Sequence, residues 1–171
     1  YTSERRQVAP APSGVCGDIP CVTETWRENL VGDDAGLTAV LRATHRIAVL
    51  GIKPESHMAK AAHYVPRYMA KNGYAILPVP VYYPDVTAIL GAPVYRTLQD
   101  VPGPIDLVNV FRKSEDLPPH VPDILAAHPK AVWFQLGIQN QEVAETLAQA
   151  GIKVVQNHCL MVEHERLIAG F

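Results

Sequence analysis

The feature that most constrains this chain is an alternation. Five short apolar runs are separated by stretches long enough to hold a crossover helix. The runs are residues 46–52 (RIAVLGI), 74–79 (YAILPV), 107–112 (LVNVFR), 131–136 (AVWFQL) and 153–156 (KVVQ). They are apolar on both faces and rich in β-branched residues, as strands of a buried parallel sheet must be. Between them, helices are expected at 56–72, 118–127 and 140–150. Asn72-Gly73 and Gly151 act as stops, Pro66 lies inside the first helix, and Pro119 or Pro122 is tolerable only in the first turn of the second. Parallel strands require such crossovers, and these are almost always right-handed. The expected fold is therefore a doubly wound, Rossmann-like α/β domain of about five mostly parallel strands, with helices on both faces.

Flanking segments read less clearly. Residues 1–22 are rich in Pro, Gly, Ser and Ala without periodicity and read as a flexible arm. Residues 23–171 read as a single domain, since 171 residues suffice for one sizeable core. Within it, a helical turn or two is expected at 23–31, and a helix at 37–44 capped by Asp33 or Asp34. A turn of helix is expected at 86–90, and a short segment from Met161.

Charge narrows the function classes. A net charge of −2 without a basic stripe excludes an electrostatic grip on nucleic acid or an anionic membrane. No apolar run reaches the length of a membrane span. Cys16, Cys21 and Cys159 form neither a disulfide framework nor a zinc spacing, so a reducing cytoplasm is the expected compartment and no metal site is assigned.

Ligands in doubly wound sheets sit outside the carboxyl ends of the strands. After the first run, Gly51, Lys53 and His57 combine a close-approach glycine, a cation and a donor before a helix N-terminus: either a loose phosphate loop, not GxGxxG, or an ordinary tight turn with a solvated Lys. After the second, Val79, Pro80 and Tyr82 offer an apolar, rigid end. It either packs a base or pantetheine-like chain or is a plain proline-rich connection. No acid stands there to bind a ribose diol, the nearest being Asp85, which disfavours NAD. After the third, Phe111 and Arg112 are either a wall with a phosphate clamp or a core Phe beside a solvated cation pair. After the fourth, Gln135 must bond backbone or face a ligand, and Gly137 permits close approach. After the fifth, Asn157-His158-Cys159 invites a nucleophile reading. On a continuing strand, however, His158 and Cys159 would face opposite ways, so no catalytic residue is assigned.

Taken in order, GIKPESH, GYAILPVP, VYRTLQDVP, DLVNVFR, WFQLG and EHERL resemble the stand-alone CoA-binding-domain family over residues 38–168. These are small Rossmann domains similar to the N-terminal domain of the succinyl-CoA synthetase α subunit. The resemblance implies coenzyme A, free or acylated, as the ligand. Gly51, Ile52, Lys53 and His57 match the phosphate loop, and Val79, Pro80 and Tyr82 the adenine side. Phe111 and Arg112 match the pantetheine wall, with Gln135 and Leu136 near the thiol end; Asn157 completes the expected set. Gly-Ile-Lys replaces the family's frequent Gly-Ala-Ser, and Asn-His-Cys its Asp-Arg-Cys. The expected function is a CoA or acyl-CoA binding protein without chemistry of its own: a carrier, sensor or regulatory module. The competing readings are an acyl-CoA-dependent enzyme using Cys159 or His158, and an NAD(H)-responsive binding protein. A homodimer or a partner protein is compatible with either class.

Overall fold

The computed structural model describes residues 25–170. A 3-10 turn, Thr25–Asn29, leads into β1 (Leu30–Val31), and α1 (Asp34–Arg42) follows. Asp33 caps α1 by accepting from the Gly36 N–H. β2 (Arg46–Leu50), a 3-10 turn (Glu55–His57), α2 (Ala61–Lys71) and β3 (Ala75–Val79) make the first crossover unit. A small antiparallel hairpin, β4 (Ala88–Ile89) and β5 (Ala92–Pro93), precedes β6 (Leu107–Val110). Two 3-10 turns, Ser114–Asp116 and Pro118–His120, lead to α3 (Val121–Ala127) and β7 (Ala131–Phe134). α4 (Gln141–Gln149), β8 (Lys153–Val155), α5 (Leu160–His164) and a π-type turn (Glu165–Ala169) complete the chain.

The main sheet has six strands, all parallel, in the order β1-β8-β7-β6-β2-β3. The period of two along each strand divides the core. Ala48 and Leu50 of β2 join Val108, Val132, Ile124 of α3 and Leu147 of α4 on one face. Ile47 and Val49 join Trp133, Leu41 of α1, and Val65 and Met69 of α2 on the other. This is the doubly wound, Rossmann-like α/β fold the alternation implied.

Three local expectations change. The sixth strand, β1, lies in the stretch read as helical turn; among the described residues of that stretch, Thr25–Asn29 is helical. Two residues carry no periodicity, and Leu30 and Val31 become a strand by pairing with Val154 and Val155 at the sheet edge. The segment 86–90 forms half of a hairpin, not a turn of helix. Leu90 and Gly91 both take positive φ, 53° and 74°, the geometry of a two-residue hairpin turn. The helix expected over 56–72 divides into the 3-10 turn at Glu55–His57 and α2 from Ala61. The proposed arm at 1–22 lies outside the described residues.

Asp106 fixes where β2 starts. Its Oδ2 accepts from the His45 and Arg46 N–H groups at 3.0 and 2.9 Å, and Lys130 Nζ lies 3.1 Å from Oδ1. Burial raises the carboxyl pKa, but these donors outweigh it and hold the group below the ordinary carboxylate range. At the far end, Arg166 forks onto Asp34 at 2.8 and 2.6 Å and also bonds Glu163, fastening the C-terminal segment to α1.

Candidate functional site

From β2 the chain runs outward to β3, then returns to β6 on the other side of β2. The strand order therefore reverses between β2 and β6, and a crevice opens above their carboxyl ends. Gly51 forms a crest along its floor. Its N–H donates to Val79 O at 2.9 Å, and Phe111 N–H donates to Leu50 O at 2.9 Å. Its φ is +86°, and a Cβ there would lie 2.6 Å from Phe111 O and 3.3 Å from Arg112 Cδ. Only glycine fits a position of that conformation and closeness.

The loop after Gly51 is pinned to α2. Pro66 has no N–H, so the carbonyl of Ala62, four residues earlier, lacks its helical donor. Lys53 N–H supplies one instead, at 3.1 Å. His63 Nδ1 then bonds Lys53 O at 2.9 Å from a fully buried position. The opposite acceptor role of the carbonyl makes Nδ1 the protonated nitrogen. Among the described residues no side chain caps the N-terminus of α2 at Lys60; the Lys60 and His63 N–H groups bond His57 O and Lys60 O, which leaves those of Ala61 and Ala62 for a ligand.

Two clefts flank the Gly51 crest. The one beside α2 has a volume of about 470 Å³. Lys53, Lys60, Arg112 and Lys113 supply positive charge, and Phe111, Leu136 and Ile138 supply apolar wall. The one on the opposite side, about 580 Å³, is bounded by Leu50, Pro80, Val81, Thr97, His120 and Pro122. Burial, seconded by Arg112, holds the His120 imidazole below its ordinary pKa, so it presents a neutral ring. Arg112 stands over the crest between them. Its guanidinium lies 5.3 Å from the Tyr82 ring centroid and 3.7 Å from an Asp116 oxygen, and its Nε is buried without a hydrogen-bond partner among the described residues.

The structure brings most of the expected residues to this crevice in differing roles. Gly51, Pro80, Tyr82, Phe111, Arg112, Gln135 and Leu136 surround it. Lys53 lines the α2 cleft, and its ammonium is 3.3 Å from Tyr83 OH. His57 turns its ring onto Tyr83, with centroids 5.4 Å apart. Ile52 and Val79 have core side chains, each 1% exposed, so only their backbone can meet a ligand. Asn157 serves as a loop clasp: its Oδ1 accepts from Gly137 N–H at 2.7 Å, with its own φ at +59°. His158 bonds Glu163 at 3.3 Å, and its carbonyl accepts from Trp133 Nε1. β8 ends at Val155, so His158 and Cys159 are not on a strand at all; Cys159 stands at the start of α5.

Sequence reasoning missed Lys60, His63 and His120. His63 bonds a backbone carbonyl, which leaves no side-chain pattern to read. The proline inside α2 was the one legible sign that a carbonyl four residues earlier needed another donor.

A parallel sheet whose order reverses at a glycine-floored crevice defines a Rossmann-like domain of the ligand-binding kind. More particularly, the chain belongs to the CoA binding domain family, whose model matches residues 45–165. It is 34% identical over 130 residues to the uncharacterized protein YneT of Bacillus subtilis (strain 168), covering 76% of this chain and 93% of YneT. Cell-free ID.343 of Thermus thermophilus superposes with a TM-score of 0.73 at 40% identity, covering 80% of this chain and all (100%) of that one. A hypothetical protein of Pyrococcus horikoshii OT3 gives 0.72 at 31%, covering 80% and 93%. The dinucleotide-forming acetyl-coenzyme A synthetase 1 of Ca. Korarchaeum cryptofilum shares the fold at 18% identity and a TM-score of 0.56, over 67% of this chain and 26% of its own. Among the described residues no helix is long and apolar enough to cross a membrane.

Proposed function

We propose that this domain binds coenzyme A, free or acylated, across the Gly51 crest. The base lies in the Pro80–His120 cleft, against prolines and a neutral imidazole. The diphosphate crosses beneath Arg112, near Lys53 and the open N-terminus of α2. The pantetheine arm follows Phe111 and Gln135 into the α2 cleft. The single observation that carries this reading is Arg112, a cation only 15% exposed whose side chain packs over the glycine of the switch point and lines the α2 cleft. An anion entering that cleft would be held by the exposed part of its guanidinium.

The domain acts as a carrier, sensor or regulatory module. The His158 imidazole is engaged by Glu163, and among the described residues no hydrogen bond joins the Cys159 thiol to a general base, which supports binding over catalysis. The absence of an acid at the β3 end supports CoA over NAD. A free thiol at Cys159 suits a reducing cytoplasm.

Isothermal titration with CoA, acetyl-CoA and NADH at one salt concentration tests the proposal. Micromolar CoA binding, about −8 kcal/mol, with NADH silent is expected. Tight NADH binding without competition by CoA would give the site to a dinucleotide.

A further inference from the structure

The α2 cleft has a built polar floor that the phosphate assignment does not use. Gln135 sits there 4% exposed, at the end of β7. Its Oε1 accepts twice, from Leu160 N–H and from Asn109 Nδ2, each at 3.3 Å. The backbone N–H of Leu160 can only donate, so the amide orientation is fixed and Nε2 points the other way. Asn109 Nδ2 in turn also bonds Trp133 O, so the Asn109–Gln135 pair holds the amide plane rigid. Nε2 has no partner among the described residues, and unlike Asn109 Oδ1 it is not sealed from solvent. A buried side chain thus aims one unused donor into a cleft whose volume is about 470 Å³.

Beside that donor the chain does something unusual for a strand end. Leu136 is 66% exposed, one of few large hydrophobics so placed among the described residues. Gly137 follows with φ +84° and nothing within 4 Å of a would-be Cβ, and Ile138 lies next on the same wall. A lone exposed leucine is ordinary. A leucine that extends the apolar lining of a cleft, next to an unspent donor, is a place for a chain with a carbonyl at one end.

We infer that the preferred ligand is a thioester of CoA with a short apolar acyl group, not the free thiol. Gln135 Nε2 donates to the thioester carbonyl, and the acyl carbons lie over Leu136. No bond is made or broken. The inference rests on the assignment of the crevice to coenzyme A and names the form recognised. Each fully buried methylene strengthens binding about fourfold, so two partly covered ones account for a preference of about tenfold.

The test is titration of the full chain with CoA, acetyl-CoA and butyryl-CoA, with Gln135→Glu and Leu136→Asn alongside. Gln135→Glu keeps the acceptor for Leu160 and Asn109 but removes the donor. Expected is an order of affinity CoA < acetyl-CoA < butyryl-CoA, with about tenfold between acetyl-CoA and butyryl-CoA and a further gain from CoA to acetyl-CoA. Gln135→Glu lowers the acetyl-CoA preference to about one, and Leu136→Asn erases the gain from acetyl to butyryl. Equal affinity of the wild-type chain for all three ligands overturns the thioester inference while leaving CoA binding intact. No affinity for any of the three overturns both it and the assignment of the crevice.

Discussion

The backbone N–H of Lys53 donates to the carbonyl of Ala62 at 3.1 Å, filling the acceptor that Pro66 leaves open in α2. A helix defect and the loop after Gly51 are thereby one structure. The proline that weakens α2 as a helix fixes the loop above the crevice.

Replacing Pro66 therefore has an unusual expected outcome. Removing an interior proline ordinarily improves a helix by about 3 kcal/mol. Here Pro66→Ala restores a helical donor that competes with Lys53 for Ala62 O. Urea denaturation should show a stability change within about 1 kcal/mol, since one hydrogen bond replaces another. Titration should show CoA affinity reduced severalfold as the loop loosens.

Gly51→Ala strains the crest. An L-residue at φ +86° with Cβ 2.6 Å from Phe111 O forces β2 and β6 apart. A loss of about 3 kcal/mol in stability is expected from strain of this kind, read as a lower urea midpoint. CoA binding should be lost even where the protein remains folded.

Arg112→Ala removes the cation over the crest. CoA affinity should fall at least about tenfold, the value of a single charge-assisted contact to phosphate. The salt dependence of binding should flatten in the variant. An unchanged salt slope would place the diphosphate elsewhere.

His164 makes stability depend on pH. It is 4% exposed, accepts or donates at Nδ1 to Tyr68 OH at 2.9 Å, and has its pKa lowered by burial. The unfolded chain takes up a proton on this group near pH 6.5, the folded chain only below that. The contribution is therefore complete above about pH 6.5 and is lost as pH falls from there towards the depressed folded value. Urea midpoints at pH 8 and pH 5.5 should differ in the wild type, and His164→Asn should remove that part of the difference.

Asp106 has the corresponding effect at lower pH. Asp106→Ala leaves the His45 and Arg46 N–H groups without their acceptor and should cost about 2–3 kcal/mol at pH 7. The native contribution is present above the ordinary carboxylate pKa, about 3.9, and is lost as pH falls below it. The midpoints of variant and wild type should approach each other as pH falls below about 3.9.

Much of the candidate site was legible for one reason: a parallel sheet brings the residues just after its apolar runs to one crevice. Gly51, Phe111, Arg112 and Gln135 stand where that rule puts them. Tyr82 was legible as part of the second strand end, but its contact with Arg112 was not, because that depends on another strand. Lys60 and His120 reach the crevice from the start of α2 and the turn before α3, after loops whose path no periodicity describes. Ile52 and Asn157 lie on the right segments, but one side chain turned to the core and the other to a neighbouring loop.

By itself the sequence determined the strands β2, β3, β6, β7 and β8, their parallel pairing and the end of the sheet where a ligand belongs. Those follow from local hydrophobic period and the length a crossover needs, both written in consecutive residues. Only the tertiary structure decided the sixth strand, the hairpin at residues 88–93 and the partner of each polar group. A two-residue strand exists only through its neighbour, and a hydrogen bond such as Lys53 to Ala62 joins groups whose meeting depends on how the whole chain has packed.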